Sequence, residues 1–243
     1  MTDKKDYTKI VLPGDTLPTT LRPDDDAMED DSEEKVVRLG PGLLQNQEQI
    51  IAIKAGVLHH REAGNRWWLD NNQKRYVPSV GESVIGVVTA RLSDYYKVDI
   101  GSAHQALLPV LAFEGATKRN RPNLKVGSLL YARVSLANKH MEPELECINP
   151  QTQRADGYGE LKDGFVIHCS LGLCRRLLDP ETPILNALAP HFPFEIAVGI
   201  NGRVWINTAS PKHTVLLANA VRNSEYLSRK ECQEMVRELI NRM

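Results

Sequence analysis

Aromatic residues are scarce in this chain. They make up 6% of its 243 residues, with three tryptophans and four phenylalanines. Cores built around packed rings are thereby excluded, and Val, Ile and Leu must supply the burial within an apolar content of 42%. Cysteine is sparser still. The four thiols, Cys147, Cys169, Cys174 and Cys232, form no C-x-x-C pair, and no histidine pair sits at zinc spacing. This argues against a disulfide framework and a structural zinc site, and favours buried free thiols in a reducing compartment. No apolar run approaches the ~20 residues of a membrane span. Met1-Thr2-Asp3-Lys4-Lys5-Asp6 carries no apolar segment of the signal-peptide kind. The expectation is a soluble intracellular protein with no membrane partner. A strong net charge is missing as well: 30 basic and 31 acidic residues leave a net of −1, unlike a dedicated DNA binder.

What is present is distributed unevenly. Residues 1–35 hold 11 acidic and 5 basic side chains, whereas residues 36–243 hold 20 acidic and 25 basic ones. The larger part is therefore mildly basic and compatible with phosphate contact. Eight of the eleven residues 24–34 are acidic. A carboxylate cluster of this kind can bind a metal ion, but the preferred reading is a solvated, self-repelling loop.

The pattern predicts an α+β multidomain chain with three parts, 1–77, 78–150 and 151–243. The first is small and β-rich. Lys9 to Leu12 reads as a strand ended by Pro13-Gly14-Asp15, Gly40-Pro41-Gly42 as a turn and Ile50 to Leu58 as one β-run. Asn65 to Leu69 and Lys74 to Val77 flank Asp70-Asn71-Asn72 as a hairpin. Trp67 and Trp68 can stack on bases, although at least one is expected in the core. The second part reads as five short strands: Ser83 to Leu92, Tyr95 to Ile100, Ala106 to Leu111, Leu129 to Leu136 and Leu145 to Ile148. That spacing suggests a five-stranded OB-type barrel, a class that commonly binds oligonucleotides. In the second of these strands Tyr96, Val98 and Ile100 share one face, and Tyr95, Lys97 and Asp99 the other.

The third part changes period. Leu161 to His168 reads as a strand, Ser170 as the cap of a helix to Leu178, and Ile184 to Leu188 as a second helix. Two strands, Phe194 to Val198 and Arg203 to Ile206, flank Asn201-Gly202, a pair that predicts a type I′ turn with positive φ at both residues. Ser210-Pro211 starts a helix to about Val221, and Ser228-Arg229-Lys230-Glu231 is a capping box for the last helix. The order is β-α-α-β-β-α plus a C-terminal helix, the order of the eukaryotic-type KH fold.

Two features of the third part compete for RNA. Gly199-Ile200-Asn201-Gly202 has the spacing of the phosphate-gripping loop of KH domains, but it lies between strands, whereas that loop joins the two adjacent helices. The helix junction here is Asp179-Pro180-Glu181-Thr182, with no glycine and two carboxylates. The usual grip is therefore absent, and Gly199, Asn201, Gly202 and Trp205 are read as an architectural hairpin. Lys118-Arg119-Asn120-Arg121-Pro122-Asn123-Leu124-Lys125 places four cations in the loop between the third and fourth barrel strands. It is read as RNA contact or channel lining, with a solvated loop or a protein-docking loop as the alternatives. Arg133, Lys139 and Arg175-Arg176 are weaker candidates.

The domain order resembles the cap subunits of the RNA exosome, and within them the ribosomal RNA-processing protein 40 family. The resemblance runs from about Leu12 to the end. It is carried by Gly40-Pro41-Gly42-Leu43, by Gly81-Glu82-Ser83-Val84-Ile85-Gly86-Val87-Val88 and, most specifically, by Gly199-Ile200-Asn201-Gly202-Arg203-Val204-Trp205-Ile206. It implies a non-catalytic subunit that stabilises an RNase PH-like ring and helps guide single-stranded RNA into its channel. The implied process is 3′-to-5′ processing and decay, including rRNA maturation. The implied partners are the ring subunits, other caps and associated 3′–5′ exoribonucleases, in nucleus, nucleolus and cytoplasm. S1 domains present an aromatic on the second strand and a histidine after the third; here Lys97 and Pro109 take those positions, which weakens base stacking. Tyr95, Tyr96 and His104 lie near in sequence, with one tyrosine expected inside the barrel. The RNA candidates are thus Tyr95, Lys97, His104, Lys118, Arg119, Arg121 and Lys125.

Catalytic signatures are missing. No G-x-S-x-G, H-E-x-x-H or Walker loop occurs, and adjacent His59 and His60 point to opposite faces of any strand. No catalytic residue, cofactor or metal is expected. The alternative functions are a free-standing sequence-specific S1/KH regulator and a ribonuclease.

Overall fold

The computed structural model describes residues 9–17, 37–47, 49–61, 65–138, 140–179 and 182–241. The acidic tract 24–34, Lys139, Pro180 and Glu181 lie outside them. The chain divides into two compact units, Met1–Gln73 and Lys74–Met243.

In the first unit, β1 (Lys9–Val11), β5 (Gly56–Arg61), β6 (Arg66–Asp70) and β2 (Arg38–Leu39) form one sheet in that order. β3 (Leu43–Asn46) and β4 (Gln49–Ala52) form a hairpin. Val11, Leu43, Ala52, Leu58 and Leu69 make the core. Two expectations fail here. Ile50 to Leu58 is not one strand but two, β4 and β5, separated by Ile53-Lys54-Ala55. Residues 74–77 form no strand either, because β6 is already satisfied by β5 and β2.

The second unit begins with the barrel. β7 (Ser83–Arg91), β8 (Tyr95–Asp99), β9 (Ala106–Pro109), β10 (Leu129–Leu136) and β11 (Glu144–Glu146) fall where the alternation of apolar residues places them. The sheet order is β11-β9-β8-β7-β10, and pairing of β10 with β11 closes it. Val84, Val88, Tyr96, Val98, Ile100, Leu108, Leu130 and Val134 fill its interior. Tyr96 is the inward tyrosine, and its hydroxyl donates to the carbonyl of Pro122.

Leu161 departs from its expected place. It ends β12 (Gly159–Leu161), which pairs with β10 as an added strand of the barrel sheet. The chain then turns at Asp163 and Gly164, both with positive φ (58° and 73°), before β13 (Phe165–His168). An apolar stretch read as one strand is thereby split between two domains.

β13, β15 (Arg203–Thr208) and β14 (Phe194–Gly199) form an antiparallel sheet in the order β13-β15-β14. Four helices accompany it: α1 (Leu171–Leu177), α2 (Pro183–Leu188), α3 (Pro211–Asn223) and α4 (Arg229–Asn241). The Ser170 hydroxyl caps α1 by accepting from the Leu173 N–H at 3.0 Å. Ser228 and Glu231 form the expected box at α4. Ser210 precedes α3 without any side-chain cap bond; the Thr214 hydroxyl donates back to the Ser210 carbonyl instead. Ile167, Leu173, Leu188, Val204, Ile206 and Leu217 belong to this domain's core. No helix among the described residues is long and apolar enough to cross a membrane.

Candidate nucleic-acid interface

The barrel has two ends, and β8 runs between them. At one end Arg91 closes β7, Leu92-Ser93-Asp94 turns the chain, and Tyr95 opens β8. The basic loop 118–125 is strapped across this end. Arg121 donates from Nη1 to the Ser93 carbonyl at 2.8 Å and from Nε to the Lys118 carbonyl at 3.3 Å. Arg91 donates from Nη1 to Asn123 Oδ1 at 2.5 Å. Leu124, 3% exposed, anchors the loop in the barrel core. A loop of like charges is thus held by carbonyls, an amide and one buried leucine.

These straps frame a cleft of about 490 Å³ lined by Arg91, Leu92, Ser93, Tyr96, Val110 and Arg121. Two guanidiniums therefore border one hollow, each with donors beyond the one or two already bonded. Tyr95 is exposed beside it, opposite Pro109, and its carbonyl accepts from the Leu92 N–H at 3.0 Å. Lys118, Arg119 and Lys125 are exposed on the same loop. Lys97 lies half-buried on the outward face of β8, one rung further along.

His104 does not join this group. It follows β8 at the other end, beyond Asp99, which is itself about 13 Å from Tyr95 along the strand, and there the Ser102 hydroxyl donates to its carbonyl. Arg91 is the residue that sequence reasoning missed. As a single cation closing a strand it carries no motif, and only the fold brings it beside Arg121.

The Gly199–Gly202 signature occupies the junction of barrel and KH sheet. Three residues, Ile200, Asn201 and Gly202, connect β14 to β15, and of these only Gly202 has positive φ, at 81°. The turn is therefore not type I′ but a three-residue loop with its last residue left-handed. Asn201 is buried, and its side chain is spent on the barrel. Oδ1 accepts from the Ile85 N–H at 3.1 Å, and Nδ2 donates to the Ile85 and Ile100 carbonyls at 2.8 and 2.9 Å. The Ile200 N–H donates to the Ser83 carbonyl at 2.9 Å. Arg203 pairs with Asp99 at 2.5 Å and donates to its carbonyl at 2.7 Å. Ile85, Ala197 and Trp205 form a shared apolar cluster, and Trp205 Nε1 donates to the Asp163 carbonyl at 2.9 Å. Gly199 is fixed by space, since a Cβ there would lie 2.7 Å from the Ile85 nitrogen.

Burial disfavours the Asp99 charge, but the Arg203 hydrogen bond, the Gly101 N–H and the Arg203 charge outweigh it, so its carboxyl sits below the usual aspartate range. At the α1–α2 junction the Thr182 hydroxyl donates to the carbonyls of Arg176 and Asp179. The cleft beside it, about 320 Å³, is walled by Leu177, Leu178, Leu185, Ile196 and Tyr131. Among the described residues no three His, Cys, Asp or Glu side chains gather as a metal site.

A closed five-stranded barrel locked to a KH sheet, after a small β domain, defines an S1–KH protein. Three family models match in that order: the N-terminal domain of exosome complex exonuclease Rrp40 over residues 37–75, the S1 domain of exosome complex component Rrp40 over 76–159, and a KH domain over 164–212. The chain is 44% identical to exosome complex component rrp40 of Schizosaccharomyces pombe, covering 98% of each chain. It is 43% identical to exosome complex component RRP40 of Homo sapiens over 78% of this chain and 70% of that one. A crystal structure of a putative exosome complex RNA-binding protein shares the fold, with a TM-score of 0.56 at 24% identity over 68% of this chain and 97% of that one. The chain belongs to the Rrp40 family of exosome complex components.

Proposed function

We propose that this protein is a non-catalytic cap subunit of the RNA exosome that contacts single-stranded RNA and helps guide it toward the channel of an RNase PH-like ring. The observation that carries this is the strapped cationic end of the barrel, where Arg91 and Arg121 border one cleft beside Tyr95. Its chemistry suits phosphodiesters without base selection. With Lys97 where S1 domains carry an aromatic, stacking contributes little, and binding is weak and indifferent to sequence. The KH domain and the N-terminal domain act by holding the subunit on its partners: ring subunits, other caps and 3′–5′ exoribonucleases. The process is RNA decay and processing, rRNA maturation included, in nucleus, nucleolus and cytoplasm. Membership in a family of exosome components supports the assembly.

The test is salt-dependent binding of a short single-stranded RNA by the full chain, before and after Lys118, Arg119, Arg121 and Lys125 are changed to alanine. The expected result is weak, sequence-independent binding that the variant loses. Nanomolar, sequence-specific binding by the isolated chain would favour a free-standing regulator. Metal-dependent RNA decay lost on changing one carboxylate would favour a nuclease.

A further inference from the structure

Three arginines occupy one rung of the N-terminal sheet. Arg61 of β5 lies directly opposite Arg66 of β6, and Arg66 directly opposite Arg38 of β2. Direct partners project from the same face, and adjacent strands are ~4.8 Å apart, so the row spans about 10 Å at the backbone. All three side chains are exposed, and among the described residues no carboxylate ion-pairs with any of them. Like charges placed opposite one another destabilise a sheet.

The next rung of the same face holds an aromatic pair. His59 of β5 stacks on Trp68 of β6, with ring centroids 5.5 Å apart and planes inclined by 17°. Both rings are half-exposed. The step from arginine row to aromatic rung is two residues, about 7 Å, a separation a nucleotide can bridge between its phosphate and its base. The companion pair behaves differently: His60 and Trp67 stack on the other face, both within hydrogen-bonding reach of Asn65 Oδ1, and Trp67 packs against the core. The two histidines and two tryptophans thus divide by face into a structural pair and an outward pair.

We propose that this outward face binds single-stranded RNA, with successive phosphates on Arg38, Arg66 and Arg61 and a base against the Trp68–His59 stack. An acidic protein segment would satisfy the arginines alone. The aromatic rung is what favours RNA, since every base has a face to stack and carboxylates have none. Guanidinium forks engage phosphate oxygens two at a time. The inference rests on the RNA-binding function proposed above and adds a second contact surface to it.

The experiment titrates labelled oligouridylate into the full chain across a salt series. It compares the native protein with Arg38→Gln/Arg61→Gln/Arg66→Gln and with the barrel-loop alanine variant. Losing three phosphate contacts lowers the slope of log affinity against log salt by about 2, and affinity at low salt by about tenfold or more. Urea unfolding of the arginine variant shows a midpoint unchanged or raised, because repulsion is removed. If that variant does not fold, Arg66→Gln alone carries the same test with a slope change of about 0.7. If the barrel-loop variant loses RNA while the arginine variant keeps full affinity and slope, this inference fails and the proposed function stands. If the native chain binds no RNA, both fail. If the arginine variant loses binding to polyglutamate but not to RNA, the face is a protein-docking site and the inference is overturned.

Discussion

The side-chain amide of Asn201 bonds both backbone groups of Ile85, accepting from its N–H and donating to its carbonyl. The two residues are 116 positions apart, on the KH hairpin and the first barrel strand. An asparagine here acts as a substitute strand neighbour for β7 and welds two domains by backbone recognition. Asn201→Ala leaves the Ile85 N–H and the Ile85 and Ile100 carbonyls without these bonds in a buried junction. A loss of about 3 kcal/mol is expected, measured by urea unfolding of the full chain. Asn201→Asp replaces a donor by a carboxylate facing two carbonyls and is expected to be worse.

Gly202 and Gly199 fail for different reasons when substituted. At Gly202 a side chain meets a φ of +81° and would lie 2.8 Å from the Cys169 carbonyl oxygen. Gly202→Val is expected to cost at least about 1–3 kcal/mol in thermal unfolding. Unchanged stability with lost RNA binding would reverse the architectural assignment. Gly199→Ala has ordinary backbone torsions but no room, so it is expected to displace Asn201 and weaken the same hydrogen bonds.

The Asp99–Arg203 pair gives the junction a pH dependence whose sign follows from the lowered Asp99 carboxyl. A carboxylate held below its unfolded value contributes stability that is fully present above that value, near 3.9. The contribution is lost as pH falls through the lower folded value. Asp99 is partly exposed, so solvent screening keeps the effect to about 1 kcal/mol or less. Asp99→Asn is therefore less stable than the native chain at neutral pH, and the two begin to converge only once the pH falls below about 4. A difference that grows with acidification would contradict the pairing.

Arg91 and Arg121 border one cleft, and each is expected to contribute one phosphate contact. Arg91→Ala and Arg121→Ala each reduce the salt slope of RNA binding by about 0.7. Each substitution also releases one strap of the loop, Arg91 from Asn123 and Arg121 from the Ser93 carbonyl, so comparable affinity losses are expected. Fluorescence anisotropy across a salt series reads both.

Where local chemistry sufficed, the sequence was transparent. Alternation placed Tyr96, Val98 and Ile100 inside the barrel, and the capping residues Ser170, Ser228 and Glu231 do what their types dictate. What depended on distant partners was opaque. The edge of β10 recruited Gly159–Leu161, so one apolar run became two strands in different domains. A two-residue turn rule failed at Asn201 because its side chain is committed to Ile85 and Ile100 rather than to the hairpin. The basic loop was visible as a charge run, but its straps to Arg91 and Ser93 were not. His104, a candidate because it lies near the tyrosines in sequence, sits at the far end of β8 from that loop. The arginine row could not be seen before register aligned Arg38, Arg61 and Arg66, since they are scattered over 29 residues of sequence.

The central claim is membership in an assembly, so the decisive measurement is mass spectrometry of the native complex purified through this chain. Stoichiometric recovery of RNase PH-like ring proteins with a 3′–5′ exoribonuclease is the predicted result. Recovery of the chain alone, or with RNA and no ring proteins, would contradict it.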